Sequence, residues 1–206
     1  MAKIQINAYC GGVFQTNGYL VQVDDSAWLF DAPEGVAAWI QSQGITLNGL
    51  FLTHQHHDHV IGAGRVKDVF DCPIFAWAAP SEDLTLAHRL EEMMGIPCPL
   101  DDYPVDTVLN GENSVEVGTL SFEILHVPGH SPDSICFRLV EQPLLIGGDV
   151  LFAGGIGRTD FPHGDHDLLI NGIHEKLWPR PVETQVLPGH GPATTIGHEK
   201  ATNPFL

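Results

Sequence analysis

Four histidines and one aspartate fall within six consecutive positions, directly after an apolar run at residues 49–52. They are His54, His56, His57, Asp58 and His59. An apolar run that ends in such residues predicts a buried strand that opens into a metal site. Because alternate side chains of an extended chain share a face, His54 and His56 can point toward one ion. Asp58 and His59 follow where the chain turns toward a helix predicted at residues 61–70, so they can face a second point nearby.

Three further potential ligands follow predicted strands, each in a turn marked by glycine. His130 comes after Pro128-Gly129, Asp149 after Gly147-Gly148, and His190 after Pro188-Gly189. Each is a weak signal alone, because a histidine after Pro-Gly is commonly only a loop residue, and a His-rich stretch can be a surface metal trap. Together with the first motif they give five histidines and two aspartates. Such a set suits two divalent ions that share one carboxylate.

The elements that must position these residues form two strand-rich halves. Strands are predicted at residues 3–9, 18–23, 27–30, 49–52 and 73–77, and again at 114–117, 120–127, 134–140, 143–147 and 184–187. Helices are predicted from residue 36 to a stop at Gly44, and at residues 61–70, 80–95 and 165–177. An irregular loop is predicted at residues 96–104. This order favours a single α/β (α+β) domain over residues 1–206, with two sheets packed face to face and helices outside.

Charge and composition limit the partners. The net charge is −17 and only nine Lys and Arg are present, whereas a protein that binds nucleic acid or an anionic membrane needs a basic face. A small-molecule partner is therefore expected. With no signal-like N-terminus and no run of about 20 apolar residues, a cytoplasmic location is expected. Each of the four cysteines is expected to be buried as a small hydrophobe.

The ordered set H-x-H-x-D-H, P-G-H, G-D and P-G-H resembles the metallo-β-lactamase-fold hydrolases. Residues 155–161 (GIGRTDF) and the stretch at 188–206 are similar to the short, single-domain glyoxalase II-like branch, the hydroxyacylglutathione hydrolase relatives. The resemblance implies a four-layer αβ/βα sandwich. It also implies one ion held by His54, His56 and His130, and a second held by Asp58, His59 and His190, with Asp149 bridging the two.

The chemistry expected of such a site is hydrolysis of a thioester. Two ions that share a water lower its pKa toward neutral, so a bridging hydroxide serves as the nucleophile. Asp58 is expected to orient it as a catalytic residue, and the departing thiolate needs no strong protein acid. Zinc is favoured as the metal, with iron or manganese as alternatives. The chain has no G-x-S-x-G motif and no obvious cysteine nucleophile, so an acyl-enzyme is not favoured.

Other activities stay open at this point. A mononuclear iron persulfide dioxygenase shares the G-R-T-D-F stretch and would use His54, His56 or a near neighbour, His130 and Asp149. A lactonase, a β-lactamase or a non-catalytic metal-stabilised protein are further alternatives. The helical domain with which long glyoxalase II enzymes recognise glutathione has no counterpart in the 206 residues. Asp133, where the family commonly has a small residue, also disfavours an anionic substrate.

Several residues around the motif have weaker assignments. Asp31 and Asp160 are expected as carboxylates that orient ligands, and Arg158 as their ion-pair partner or as a contact for a substrate anion. His57 is left out of the ligand set, and His126 is expected in the core or beside a ligand. Ser81 is a candidate helix N-cap, and the Met93-Met94 pair is expected in the core or in a lid. The remaining histidines are expected at the surface, with His163 and His166 also candidates to border the site; the surface set is His88, His163, His166, His174 and His198.

Overall fold

The computed structural model describes residues 4–206, so residue 3 of the first predicted strand lies outside the described residues. The backbone separates into two compact units, the first ending at Asn110 and the second beginning at Gly111. Each unit carries a six-stranded sheet and several helices, which confirms the mixed α/β class. One domain over residues 1–206 stays a prediction.

The first unit contains a sheet whose strands are ordered as they follow in the chain. The strands are β1 (Ile4–Gly11), β2 (Thr16–Val23), β3 (Ser26–Phe30), β4 (Gly49–Phe51), β5 (Ile74–Ala76) and β6 (Thr107–Val108). The helices are α1 (Val36–Ser42), α2 (His57–Val60), α3 (Ala63–Phe70), α4 (Glu82–Thr85) and α5 (Ala87–Met94). The first three strands are antiparallel, whereas β3 to β6 run parallel. The carboxyl ends of β3 and β4 therefore meet at one edge of the sheet.

The single helix predicted at residues 80–95 is instead two helices. Leu86 takes a left-handed conformation with φ 54°, which ends α4 and begins α5. The side chains of Leu86 and Leu90 are both buried. This burial offsets the conformational free-energy cost of the left-handed backbone at Leu86. Ser81 does precede α4, but its side chain makes no capping hydrogen bond. Met93 and Met94 were expected in the core or in a lid; they are 53% and 38% exposed, so the core position was wrong and the lid stays a prediction.

The second unit contains a six-stranded sheet in the order β14-β13-β10-β9-β8-β7 and a small hairpin of β11 and β12. The strands are β7 (Ser114–Val117), β8 (Leu120–His126), β9 (Ile135–Leu139), β10 (Leu144–Gly148), β11 (Leu151–Phe152), β12 (Gly155–Ile156), β13 (Gln185–Pro188) and β14 (Thr194–Thr195). The helices are α6 (His166–Gly172), which continues as a π-helical turn (Ile173–Leu177), and α7 (Ile196–Thr202). Strands β10 and β13 are parallel neighbours, so their carboxyl ends also meet at one edge.

Helix α6 packs on this sheet through an apolar face. Leu169, Ile173 and Leu177 are fully buried, as the spacing predicted, and they join a core cluster with Val127, Leu145 and Val186. Leu168 was expected on the same face but is 45% exposed; it lies in the first turn, where its backbone N–H bonds the carboxylate of the N-cap residue Asp165 at 2.9 Å. Asp165 thus begins the helix by accepting from one of its first amides.

The four cysteines are all unbridged thiols. Cys72, Cys98 and Cys136 are buried, as expected, whereas Cys10 is exposed. Burial raises the pKa of the Cys136 thiol to about 12 and also raises that of Cys72. Neither of these two thiols therefore supplies a thiolate at neutral pH. Within residues 4–206 no helix is both long enough and apolar enough to cross a membrane.

A buried carboxylate ties α7 to the β11–β12 hairpin. Glu199 is 1% exposed, and its Oε2 atom accepts from the Gly154 N–H and from Asn203 Nδ2, both at 2.9 Å. Its Oε1 atom accepts from the Thr194 hydroxyl. Asn203 Nδ2 also donates to the Gly155 carbonyl at 3.0 Å. The chain that follows β13 therefore fixes the hairpin that follows β10.

We expect Glu199→Ala to destabilise the protein, because three donors lose their buried acceptor. A loss of about 2 kcal/mol is expected, which is about 4–8 °C in Tm for a chain of this size. Thermal unfolding followed by circular dichroism checks this. The matched control is Glu183→Ala, at an exposed position of the same unit. Equal Tm values for the two variants would contradict the assignment.

Candidate functional site

The first motif begins at the carboxyl end of β4, beside the end of β3. Asp31 follows β3 directly and has φ 60°, a left-handed conformation that aspartate tolerates better than most residues. Its N–H bonds the Phe51 carbonyl at 2.9 Å, and the next N–H, of Ala32, bonds the His59 carbonyl at 2.8 Å. The turn after β3 is thereby hydrogen-bonded to both ends of the stretch that carries the motif.

The carboxylate of Asp31 orients three groups of the motif. It accepts from the Thr53 N–H at 2.7 Å, from the Thr53 hydroxyl at 2.8 Å and from His59 Nδ1 at 2.9 Å. Asp31 is 2% exposed and His59 is fully buried, so these bonds form away from water. Asp31 thus contacts a predicted ligand, as expected of an orienting carboxylate. Arg158 does not pair with Asp31 as expected, because it pairs with Asp160.

The four predicted ligands of the first unit come together. The rings of His54 and His56 have centroids 4.7 Å apart, and those of His54 and His59 are 4.1 Å apart. Asp58 Oδ2 lies 3.5 Å from His59 Nε2 and accepts a 2.6 Å hydrogen bond from the Thr16 hydroxyl. Potential ligand atoms lie within 4.8 Å of one another in each of three pairs: His54 with His56, His54 with His59, and Asp58 with His59.

His57 has a different role from its neighbours. It begins α2, is 5% exposed, and its Nε2 atom lies 3.1 Å from the Pro99 carbonyl. A second bond to the same loop joins Tyr103 Oη to Gln55 Oε1 at 3.0 Å. The loop predicted at residues 96–104 is thus attached to the histidine motif at two points.

The three predicted ligands of the second unit also come together. Asp149 follows β10 and His190 follows β13, the two strands that run parallel. Asp149 Oδ2 lies 3.5 Å from His130 Nε2 and 3.3 Å from His190 Nε2. Asp149 and His130 are 7% and 3% exposed. A buried carboxylate therefore lies between two imidazoles, at separations slightly longer than direct hydrogen bonds.

The Pro-Gly-His turn that carries His130 requires its glycine. Gly129 has φ 129°, and a Cβ placed there would lie 2.5 Å from the Leu169 amide nitrogen. The turn therefore packs directly on α6, where only glycine fits. His126 lies behind this turn, half-buried, with Nε2 2.8 Å from the Pro132 carbonyl, and burial lowers its pKa. His126 therefore contacts the chain next to the turn from a half-buried position and is not a core residue.

The G-R-T-D-F stretch orients His130. The Arg158 carbonyl accepts from His130 Nδ1 at 2.7 Å, and a Cβ at Gly157 would lie 3.0 Å from the His130 Cβ. The Arg158 side chain makes two 2.7 Å bonds with Asp160 and lies over the Phe161 ring. These bonds hold the pKa of the Asp160 carboxyl at about 2. The expected Arg158–Asp160 ion pair is confirmed.

The donor chemistry fits divalent ions. In His54, His59 and His130 the Nδ1 atom faces an oxygen, that of the Thr53 hydroxyl, the Asp31 carboxylate and the Arg158 carbonyl respectively. Each oxygen acts as an acceptor, since the Thr53 hydroxyl donates its own proton to Asp31. The proton is thus placed on Nδ1 and the lone pair on Nε2, the arrangement that metal-binding histidines adopt. Imidazoles and carboxylates suit zinc, iron and manganese alike.

The other candidate residues lie apart from this geometry. The surface positions predicted for five histidines are confirmed, because all five side chains are exposed: His88, His163, His166, His174 and His198. Asp133 is 2% exposed and accepts from the Ser131 hydroxyl at 2.5 Å, so its carboxylate is engaged inside its own turn. Thr16 and Thr53 were not singled out from the sequence. A threonine directly before H-x-H was a usable signal for Thr53, whereas nothing in the sequence pointed to Thr16.

Comparisons with known proteins agree with this geometry. The family model of the metallo-beta-lactamase superfamily matches residues 11–190. Hydroxyacylglutathione hydrolase GloC of Haemophilus influenzae is 40% identical over 201 residues, which cover 94% of this chain and 93% of the relative.

Two solved structures extend the comparison. The BLEG-1 B3 metallo-beta-lactamase is 37% identical, with a TM-score of 0.87 over 98% of this chain and 99% of its own. TTHA1623 in a di-iron-bound form is 34% identical, with a TM-score of 0.82 over 97% of this chain and 100% of its own. The resemblance drawn from the motifs and the metallo-β-lactamase type of α/β fold are both confirmed. The chain therefore belongs to the metallo-β-lactamase superfamily and is a hydrolase of that family.

Proposed function

We propose that this hydrolase cleaves thioesters and uses two divalent metal ions. His54, His56 and His130 would hold one ion, Asp58, His59 and His190 would hold the other, and Asp149 would bridge them. When bound, the ions lower the pKa of a shared water and polarise the substrate carbonyl. The partner is then a small molecule. A cytoplasmic location and the lack of nucleic-acid or membrane partners stay predictions.

The pair of Asp58 and His59 is the observation that carries this proposal. Its two side chains approach to 3.5 Å, and each is held from behind, Asp58 by the Thr16 hydroxyl and His59 by Asp31. A mononuclear iron site would use only His54, His56 or a near neighbour, His130 and Asp149. Such complete support for Asp58 and His59 favours a second ion.

The side chains and carbonyls of the protein orient the proposed metal ligands, and water is the nucleophile that attacks the thioester carbonyl. Thr16 orients the Asp58 carboxylate, Asp31 fixes the His59 ring, and the Arg158 carbonyl fixes the His130 ring. Asp58 is the carboxylate proposed to orient the nucleophile. A thiolate leaves without a strong protein acid, and buried Cys136, whose pKa is raised to about 12, is unsuited to act as a nucleophile.

The substrate class rests on the relatives. The 40% identical relative is named a hydroxyacylglutathione hydrolase, which favours a thioester here. The BLEG-1 structure is named a B3 metallo-beta-lactamase, which makes β-lactams the second candidate substrate class. The di-iron form of TTHA1623 supports iron as an alternative to zinc.

The first test is a substrate panel with protein whose metal content has been measured. We expect about two equivalents of divalent ion per chain and release of thiol from S-acyl thioesters without oxygen uptake. A cephalosporin, a lactone and glutathione persulfide are the comparison substrates. Oxygen uptake with the persulfide that exceeds thioester hydrolysis would identify a dioxygenase instead, and faster cephalosporin cleavage would identify a β-lactamase.

Asp149→Ala tests the bridging assignment. The change leaves His130 and His190 in place but removes the carboxylate between them. We expect the ion content to fall and thioester hydrolysis to drop at least about 100-fold, with the circular dichroism spectrum retained. Asp167→Ala, at an exposed position of α6, is the control. Two ions and full activity in Asp149→Ala would refute the assignment.

Asp31→Asn tests how the His59 ring is oriented. The Thr53 N–H faces Oδ1, whereas the Thr53 hydroxyl and His59 Nδ1 both face Oδ2, so an amide nitrogen at either position loses at least one of these hydrogen bonds. We expect metal affinity, measured by competition with a chelator, to fall about 10- to 100-fold. Asp71→Asn is a matched control, because Asp71 also has a positive φ, 48°, but is exposed. An unchanged affinity in Asp31→Asn would show that the hydrogen bond does not tune the ligand.

A further inference from the structure

Exposed apolar side chains are concentrated at one place on the first unit. Ten large hydrophobic residues are exposed within residues 4–206, and four of them line a single cavity. These four are Val13, Phe14, Met94 and Ile96, which are 38–75% exposed. Exposed apolar surface of this kind is costly in water unless a ligand or partner covers it.

The cavity reaches the proposed metal ligands. We call it the turn cavity; one wall is the turn between β1 and β2, and the other is residues 94–99. Asp58 and Thr16 lie at its lining, so it is continuous with the carboxylate that we assign to an ion. Its volume is about 190 Å³. An apolar cavity of about 150 Å³ holds benzene, so there is room for a group of about six carbons.

The charges around the turn cavity exclude an anionic occupant. None of its fourteen lining residues, all from the described chain, is Lys or Arg. The charged side chains at the lining are Glu34 and Asp58, both acidic. A carboxylate on the substrate would be repelled by Glu34 and would find no Lys or Arg side chain to pair with. Neutral apolar groups suffer neither penalty, and flexible Met94 can adapt to their shape.

The far wall of the turn cavity is fixed to the metal-binding motif. His57 Nε2 lies 3.1 Å from the Pro99 carbonyl, and the Cys98 N–H bonds Glu91 Oε1 at 2.8 Å. The first of these bonds connects the wall to the residue next to Asp58. The turn cavity is therefore held at a constant position beside that carboxylate, as a substrate subsite requires.

We propose that the turn cavity binds an uncharged apolar group of up to about six carbons next to the scissile thioester bond. This inference rests on the proposed thioester hydrolysis and narrows its substrate class. Thioesters with an apolar arm are preferred over those with a short or an anionic arm. The arm can belong to the acyl group or to the thiol, and the chemistry that recognises it is the same.

The experiment measures kcat/KM of the metal-loaded protein for two thioester series. The acyl series joins acetyl, butanoyl, hexanoyl, decanoyl and succinyl groups to N-acetylcysteamine. The thiol series joins acetyl groups to ethanethiol, butanethiol and hexanethiol. Each methylene buried in the turn cavity is expected to raise kcat/KM up to about fourfold. We expect at least about a tenfold gain up to six carbons, in one series, followed by a plateau.

Charge placed at the rim tests the location. Ile96→Lys is expected to lower the hexanoyl-to-acetyl (or hexanethiol-to-ethanethiol) ratio of kcat/KM at least about fivefold, and to raise the succinyl-to-acetyl ratio. Val13→Lys repeats the test from the opposite wall. Val108→Lys is the matched control, since Val108 is 47% exposed on β6 and does not line the turn cavity. Its ratios should equal those of the unmodified protein.

The outcomes separate this inference from the proposed function. Hydrolysis without any gain in either series, or a preference for succinyl, overturns the turn cavity as a subsite. If no thioester is cleaved, the proposed function fails, and titration calorimetry with N-acetyl-N′-hexanoylethylenediamine, in which NH replaces the thioester sulfur, decides the subsite alone. Binding that Ile96→Lys weakens and Val108→Lys does not would then support the turn cavity, and no binding would overturn it.

Discussion

One buried carboxylate, Asp31, is the group on which the geometry of the first unit depends. It accepts three hydrogen bonds in the interior, from the Thr53 N–H, the Thr53 hydroxyl and His59. A buried charge is tolerated only when hydrogen-bonding partners compensate its lost hydration. The parallel pairing of β3 and β4 brings these partners to Asp31 at one sheet edge. The pairing of these strands therefore also fixes the orientation of the His59 ring.

The second unit reaches a similar result with backbone groups. His130 is oriented by the Arg158 carbonyl, and its turn packs on α6 through Gly129. Asp149 leads directly into the β11–β12 hairpin, which Glu199 and Asn203 attach to the C-terminal helix. Here the constraint is close backbone approach, which explains why glycine is required at positions 129 and 157.

The sequence was sufficient for the ligand-type residues and the fold class, because both rest on local signals. Apolar runs that end in histidine or aspartate are readable without any long-range contact. The division of the predicted 80–95 helix into α4 and α5 could not be predicted locally, because burial of Leu86 overrides local helix propensity. Short elements such as β14 and α7 were also missed. The same is true of Glu199, because an isolated glutamate in a sequence looks like any surface residue until its buried donors are seen.

The bond between His57 and Pro99 has a thermodynamic consequence. It connects the histidine motif directly to residues 94–99, the far wall of the turn cavity. Linkage requires that whatever factor an occupant of that wall contributes to metal affinity, the metal contributes equally to the affinity for the occupant. Apparent metal affinity in such a protein is therefore a property of the protein together with its surrounding metabolites. His57, which binds no ion in our assignment, is the residue that would couple the two binding sites.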